Sequence, residues 1–320
     1  MSHAGPTTID PPRPWTGERR FLAACRREPV DATPIWFMRQ AGRASPGYAE
    51  LVERHGVMGI TTDPDLATRV ALLPVEAFGV DAAILYADIM LPLGPMGVAY
   101  ALTPQGPVLE RPIRSAEDVR GLRQLEPTED LPFILETVAS LRAALDGRCA
   151  VIGLAGGPFT MAAYLIEGGP SRDQLTARAF MHAEPAAWHD LLGRLADATA
   201  AYLRAQVAAG AQAVQLFDSW AGSLAPSEYE AFVAPYARRS LSASDGVPTI
   251  HFATGAAPIL AQMAAAGGDV LGVDHRQPLG DAWARLADRA IQGNLDGARL
   301  LAGRGPMEEG ASAVLDQAAG

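Results

Sequence analysis

The segment AAWHDLLGRLADATAAYLRAQVAA, residues 186–209, leads after a two-residue gap into QAVQLF, residues 212–217. The first stretch places its apolar residues at helical spacing, and the second is a short, mostly apolar run with the composition of a buried strand. A long helix that leads directly into a buried strand is the repeating unit of a parallel α/β fold.

Six further short runs have the composition of strands, and they alternate with Ala- and Leu-rich helical patterns. They are Pro34–Met38, Asp81–Tyr86, Ala150–Ala155, Pro248–Phe252, Val270–Val273 and Ala290–Gly293. Residues 98–113 differ, because their Pro-Gln-Gly-Pro centre predicts a hairpin-like excursion. No internal repeat, low-complexity tract or linker divides the array, so we expect one catalytic domain over residues 18–320.

This alternation favours a (β/α)₈ TIM barrel, for which about 250 residues are typical. A doubly wound open sheet is the alternative, but it would carry a Gly-rich phosphate turn after its first strand, and none is present. The seven predicted strands are one short of a closed barrel. Either this count misses one strand, or the sequence ends before the eighth strand.

The composition limits the possible partners. The chain has a formal charge of −10, from 26 Lys and Arg against 36 Asp and Glu, which argues against a general nucleic-acid or membrane-surface role. Its two cysteines, Cys25 and Cys149, have no metal-type spacing and indicate a reducing cytoplasm. Residues 1–17 predict a flexible leader without a secretion signal, and no apolar run is long enough to span a bilayer.

Two arginines follow the first predicted strand, where a barrel of this type carries its active residues. Arg39 and Arg43 flank Ala41 and Gly42, which are small enough for a ligand to approach the backbone closely. Two guanidinium groups at such a place suit carboxylates or phosphates, which they bind bidentately. A structural ion pair with a neighbouring acid such as Glu50 is the alternative.

Other polar side chains follow the next predicted strands. Asp88 lies in the apolar stretch YADIM, where it could bind ligand N–H groups, act as an acid or base, or simply cap the following turn. Tyr164 and Ser219 also lie near strand ends, although each residue type is more often a core or turn hydrogen-bonder. We expect His251 to be structural, and no nucleotide, nucleophile-elbow or zinc motif is present. The residues alone predict a barrel enzyme for a small anionic substrate, with no evident metal.

Five blocks of the sequence resemble one known family. PIWFMRQAGR, residues 34–43, is similar almost letter for letter to the first signature of the uroporphyrinogen decarboxylase family. The other four blocks, which match in order and spacing, are FGVDAAILYADIMLPLGPMG at 78–97, IGLAGGPFTMAAYLIEG at 152–168, AQAVQLFDSWAG at 211–222 and AIQGNLD at 290–296. Five collinear blocks are far more specific than a single short motif.

The resemblance implies a (β/α)₈ barrel and a homodimer whose active-site mouths face each other. It also implies a lyase without cofactor or metal that removes CO₂ from the four acetate side chains of uroporphyrinogen III. The product would be coproporphyrinogen III, an intermediate of porphyrin and haem biosynthesis. We expect the chain to act in the cytoplasm.

The same resemblance assigns roles to individual residues. The expected clamp for substrate carboxylates consists of Arg39, Gln40, Ala41, Gly42 and Arg43. Asp88 would face the pyrrole N–H groups, and Tyr164 and Ser219 would contact substrate carboxylates. Asp88 and Arg39 are the expected catalytic residues.

The chain departs from the family pattern at three places. Val52 stands where the family has a further arginine, and Asp274-His275 stands in place of an Asp-Trp pair. The family's final strand carries an Asn-Leu-Gly-His-Gly type block that would fall beyond Gly320, so we expect that the eighth strand is missing from this chain and that the domain is truncated at its C-terminus. An inactive tetrapyrrole-binding paralogue or fragment is therefore an alternative. A corrinoid or thiol methyltransferase of the same superfamily is a weaker alternative, because its zinc site needs later cysteines than Cys149.

Overall fold

The computed structural model describes residues 15–40, 45–103, 105–244, 246–286 and 288–318. The strands in this part of the chain are β1 (Ala82–Ile84), β2 (Tyr100–Thr103), β3 (Gly106–Leu109), β4 (Ala150–Gly156), β5 (Ala213–Phe217), β6 (Thr249–Phe252), β7 (Val270–Gly272) and β8 (Ala290–Gln292). Six of them form one curled parallel sheet in the order β1-β4-β5-β6-β7-β8, and β2 pairs with β3 in an antiparallel hairpin.

Helices cover the connections between the strands. They are α1 (Gly17–Cys25), α2 (Pro46–Thr61), α3 (Pro64–Phe78), α4 (Ala116–Arg120), α5 (Pro127–Asp130), α6 (Pro132–Leu145), α7 (Pro158–Glu167), α8 (Leu175–Ala183), α9 (Pro185–Ala208), α10 (Pro226–Phe232), α11 (Ala234–Leu241), α12 (Leu260–Ala266), α13 (Leu279–Arg285), α14 (Gly297–Leu301) and α15 (Arg304–Ala318). Many begin with proline at the first helical positions, where its missing N–H would have no helical partner in any case.

The sheet is buried, as expected for parallel strands that carry helices outside. Every residue of β4 is buried, and its register places Ile152 beside Ile84 of β1 and Ala213 of β5. Helix α9 packs its apolar face against this sheet, with the large side chains of Trp188 and Tyr202 fully buried. The continuous apolar runs in the sequence are therefore the strands of one core.

Gln206 of α9 completes the sheet where β1 leaves it. The pairing of β1 with β4 ends at Ile152, so the backbone of Leu154 needs another partner on that side. The amide of Gln206 accepts the Leu154 N–H at 2.8 Å and donates to the Leu154 carbonyl at 2.9 Å. Since a buried backbone group without a partner is costly, this contact leaves the chain after β1 free to turn towards Asp88.

The predicted barrel class is confirmed, because parallel strands follow one another in chain order around a curled sheet with helical crossovers. The six predicted strands from Asp81–Tyr86 onward coincide with those of the sheet, and the predicted hairpin coincides with β2 and β3. Within the described residues β1 and β8 form the two edges of the sheet, and helices alone follow residue 292.

The predicted strand at Pro34–Met38 is wrong. This segment lies beside β1, but a single backbone bond joins them, from the Asp81 N–H to the Ile35 carbonyl at 2.8 Å. Side chains, not a neighbouring strand, bond to the other backbone groups that would pair in a β-ladder. Asp81 accepts the Ile35 N–H at 2.7 Å, and Gln40 donates to the Ala82 carbonyl at 2.7 Å. The composition is that of a strand, but tertiary contacts replace the pairing.

Residues 1–14 of the predicted leader lie outside the described part of the chain. Trp15 and Thr16 already contact α1: Thr16 caps the helix by accepting the Arg19 N–H, and the Arg19 guanidinium lies 3.7 Å from the Trp15 ring centroid. In the part of the chain that the structure describes, no helix has both the length and the apolar character needed to cross a bilayer.

Candidate active site

Arg39 lies in a turn that Gln40 fixes to the sheet. The Gln40 side chain is 4% exposed, and both ends of its amide are bonded. It accepts the Phe37 N–H at 2.9 Å and donates to the Ala82 carbonyl at 2.7 Å. Arg39 itself is exposed. The turn therefore presents a guanidinium to solvent from a firmly held backbone.

Asp88 lies four residues beyond the end of β1, half-buried among apolar neighbours. Its Oδ1 accepts the Met90 N–H at 2.8 Å, as a turn cap does. No donor among the described residues engages its Oδ2. Burial raises the pKa of the Asp88 carboxyl above its ordinary value, because water solvates the charged form poorly there. The predicted cap is thus present, and one oxygen is left for a ligand.

Tyr164 and Ser219 come from the two strands next in the sheet. Tyr164 lies on α7, which follows β4, and its ring stacks on Trp220 with centroids 4.1 Å apart and planes inclined by 30°. Ser219 is half-buried after β5, and its carbonyl accepts the Thr254 N–H at 3.2 Å. The Ser219 hydroxyl makes no hydrogen bond to the described residues.

The electrostatics connect three of the predicted residues. Burial raises the pKa of Tyr164, the negative charge of Asp88 raises it further, and the positive charge of Arg39 lowers it. Burial and the Asp88 charge also raise the pKa of Tyr100, on the hairpin, to about 12. Asp88 therefore acts on tyrosines from two different elements, and the structure brings Arg39, Asp88 and Tyr164 to one edge of the sheet. Ala41, Gly42 and Arg43 lie outside the described residues.

The sequence reasoning missed Asp218, a fully buried carboxylate at the end of β5. Its Oδ1 accepts both the N–H and the hydroxyl of Thr160 at 2.8 Å, and its Oδ2 is buried without a hydrogen-bond partner in the described structure. Burial raises the pKa of Asp218 to about 6, although its two hydrogen bonds from Thr160 and the nearby N–H of Phe159 act in the opposite direction. The sequence does contain an indication of this contact: α7 begins at Gly157-Pro158 without a capping side chain of its own, so its first N–H groups need an acceptor from another segment.

His251 is structural, as predicted. It is fully buried on β6, its Nδ1 lies 3.2 Å from the Gly267 carbonyl, and its Nε2 lies 3.5 Å from the Tyr229 hydroxyl. Burial lowers its pKa to about 4, because the charged imidazolium is poorly solvated there. Among the described residues no cluster of three His, Cys, Asp or Glu side chains is arranged to hold a metal ion.

The raised pKa of Asp218 predicts a pH-dependent stability. The folded state binds this proton more tightly than the unfolded state, so stability falls as the pH rises from about 4 through about 6, by about 3 kcal/mol in total. The Asp218→Asn variant lacks this contribution. Its free energy of unfolding relative to the parent should therefore increase by about 3 kcal/mol between about pH 4 and about pH 7.

Urea denaturation at both pH values measures this difference. Asp316→Asn, at an exposed position of α15, serves as the control for a charge removed from the surface. A difference between parent and Asp218→Asn that does not change with pH would contradict the prediction.

Together, the curled parallel sheet and the polar groups at its carboxyl edge are typical of one class, the barrel enzymes, whose active sites lie at that edge. The uroporphyrinogen decarboxylase family model matches residues 16–320. The chain is 49% identical to a uroporphyrinogen decarboxylase of Sorangium cellulosum, covering 94% of this chain and 87% of the relative. It is 47% identical to that of Thermus thermophilus, with shares of 94% and 88%. The chain belongs to the uroporphyrinogen decarboxylase family.

A solved structure agrees on the fold. A methyltransferase from Methanosarcina mazei superposes with a TM-score of 0.81 at 22% identity, covering 95% of this chain and 90% of the other. At that identity the likeness concerns the fold alone.

Proposed function

We propose that the chain is a carboxy-lyase that converts uroporphyrinogen III to coproporphyrinogen III in porphyrin and haem biosynthesis, acting without a cofactor. Family membership supports the reaction. The observation that carries the proposal is Asp88, a desolvated carboxylate with one oxygen available at the same sheet edge as an exposed arginine. This pair is suited to a substrate that combines pyrrole N–H donors with carboxylate arms.

Decarboxylation of an acetate arm needs a place for the electrons that the departing CO₂ leaves behind. Protonation of the pyrrole carbon that bears the arm creates a cation, and this cation accepts those electrons when the C–C bond breaks. A proton then adds to the exocyclic carbon, which becomes a methyl group, and the ring carbon loses the proton that it gained. We propose that Asp88 accepts hydrogen bonds from the pyrrole N–H groups and stabilises the cation, since a carboxylate acts more strongly where water is excluded.

We propose that residues 39–43 bind the substrate carboxylates. The exposed guanidinium of Arg39 matches the planar geometry of a carboxylate, and Arg43 would supply a second fork. Gln40 would hold the turn to β1, as its two backbone contacts indicate. Ala41 and Gly42 would let the substrate approach the backbone.

The hydroxyls of Tyr164 and Ser219 would complete the binding of one arm. Tyr164 follows β4 and Ser219 follows β5, and these neighbouring strands pair with Ile152 opposite Ala213 and Gly156 opposite Phe217. Adjacent parallel strands end at the same edge of the sheet, so the two hydroxyls can donate to one carboxylate.

Replacement of Arg39 by glutamine is expected to lower kcat/KM for uroporphyrinogen III by about 10- to 100-fold, the loss of one charge-assisted hydrogen bond of about 1.5–3 kcal/mol. The purified chain is incubated with the substrate, and coproporphyrin is measured by fluorescence after oxidation. Arg304→Gln, on the exposed surface of α15, is the matched control and should retain the parent value. Absence of coproporphyrinogen from the parent reaction would refute the function, and an unchanged Arg39→Gln variant would refute the role of the clamp.

We further propose that residues 18–320 form one catalytic domain and that the chain acts as a homodimer in the cytoplasm. Ile35 and Phe37, which precede Arg39 in the chain, are 53% and 48% exposed, and such apolar side chains are often covered in an assembly. Sedimentation equilibrium should give twice the chain mass, and a monomer mass at micromolar concentration would contradict the proposal.

A further inference from the structure

Asp218 is a buried charge to which the proposed reaction gives no task. Its side chain is fully inaccessible, and Oδ2 has no partner among the described residues. A carboxylate in such a place is costly unless its contacts offset the loss of solvation. Its contacts therefore show what the charge is positioned to do.

Those contacts form a hydrogen-bond network, called the circuit below, between the start of α7 and the end of β5. Oδ1 accepts the N–H and the hydroxyl of Thr160 at the start of α7, and the Thr160 Oγ1 in turn accepts the Trp220 N–H at 3.1 Å. Tyr164 lies one helical turn further along α7 and stacks on the Trp220 ring at 4.1 Å. Ser219 lies between Asp218 and Trp220 in the chain. The circuit thus joins the two hydroxyls proposed to bind one carboxylate arm.

The geometry at the start of α7 suits a carboxylate. Gly157 is the N-cap residue and provides no side-chain cap, so the first N–H groups of the helix need an acceptor from elsewhere. The negative charge also lies at the positive end of the helix dipole. A Cβ at position 157 would lie 2.7 Å from the Asp218 Cα, so the absence of a side chain at Gly157 permits this close approach.

We infer that Asp218 is a positioning residue for substrate binding. By holding the start of α7 against the end of β5, it sets the separation between the hydroxyls of Tyr164 and Ser219, and so the fit of one acetate arm. This inference rests on the binding role proposed for those two residues. It assigns Asp218 no contact with substrate and no part in proton transfer.

The test uses four variants of the full chain, in two matched pairs. Thr160→Val removes the hydroxyl from the circuit and Thr160→Ser restores it, whereas Asp218→Ala removes the acceptor and Asp218→Asn retains Oδ1. We expect Thr160→Val and Asp218→Ala to raise KM for uroporphyrinogen III about tenfold, with kcat within about threefold of the parent. Thr160→Ser and Asp218→Asn should keep KM within about threefold.

Near-UV circular dichroism provides a second measurement that needs no activity. The contribution of Trp220 is the difference between the parent and Trp220→Phe. In the parent background, Thr160→Val should remove the contribution of Trp220 from the near-UV spectrum. In the Trp220→Phe background, the same substitution should leave the near-UV spectrum unchanged. If the parent does not decarboxylate uroporphyrinogen III, the proposed function fails, and the circular dichroism comparison still decides the positioning role.

Three results would overturn the inference. One is a folded Thr160→Val variant with the KM and the near-UV signal of the parent. Another is a Thr160→Ser variant as impaired as Thr160→Val, because restoration of the hydroxyl would then have no effect. The third is a loss confined to kcat in Asp218→Ala, which would indicate a role in the chemical step instead.

Discussion

Replacement of Asp88 by asparagine is expected to lower kcat for decarboxylation by about 10²- to 10³-fold, the usual effect of removing one preorganised stabiliser of a transition-state charge. The substitution preserves shape but removes the negative charge that would oppose the pyrrole cation. KM should change much less, since the cation exists only after protonation of the ring. Steady-state kinetics with uroporphyrinogen III measure both values.

The turn cap made by Asp88 allows the catalytic and structural roles to be separated. An asparagine Oδ1 can still accept the Met90 N–H that now lies 2.8 Å from the carboxylate, so Asp88→Asn should unfold close to the parent midpoint. Asp88→Ala loses the cap and should cost about 1 kcal/mol of stability in addition. An Asp88→Asn variant with normal kcat would show that the residue is only a cap.

Replacement of Gly157 by alanine is expected to destabilise the chain by about 3 kcal/mol or more, at the upper end of overpacking effects. The backbone of Gly157, with φ −71° and ψ 149°, is one that alanine adopts readily, so the effect is purely steric. The added Cβ would overlap the side chain of Asp218 and lie 2.7 Å from its Cα. Urea denaturation measures the change.

Gly193→Ala is the matched control for that experiment. Gly193 lies inside α9, and its added Cβ would meet only the Tyr236 ring at an ordinary distance of 3.9 Å. Alanine in a helix interior is favoured over glycine by about 0.5–1 kcal/mol, so this variant should be more stable than the parent. If both variants unfold at the parent midpoint, the close packing of Gly157 on Asp218 is not rigid.

The fold was largely predictable because its strands are buried on both sides. Runs such as AVIGLA at 150–155 are apolar throughout and are separated by long helical patterns, which identifies a parallel array. The segment Pro34–Met38 has the same composition but does not pair. Its failure depends on the side chains of Asp81 and Gln40, which bond to backbone groups of the neighbouring segment. The sequence of the segment itself does not predict such hydrogen bonds from side chains that are distant in the chain.

The site was predictable only in part. Asp88 and Tyr164 follow the neighbouring strands β1 and β4, and parallel topology brings them to one edge of the sheet, whereas the turn that carries Arg39 is held to β1 by the Gln40 side chain. The stacking of Tyr164 on Trp220 joins residues 56 positions apart, and no pattern in either segment predicts it. The role of Asp218 is not predictable from its own segment, because its hydrogen-bond partner Thr160 lies 58 residues earlier, in the block at 152–168.

The two hydrogen bonds of the Gln40 side-chain amide have a consequence for a substrate that reacts four times. Because the backbone of the turn is held at both Phe37 and Ala82, the charge of Arg39 moves mainly by rotation about the torsions of its own long side chain. Each decarboxylation converts an acetate arm to a methyl group and leaves the remaining arms at other positions around the macrocycle. In the carboxylate-binding role proposed for Arg39, one guanidinium on a flexible stem would meet these arms in turn while the main chain keeps its place, so successive rounds would need no rearrangement of the pocket.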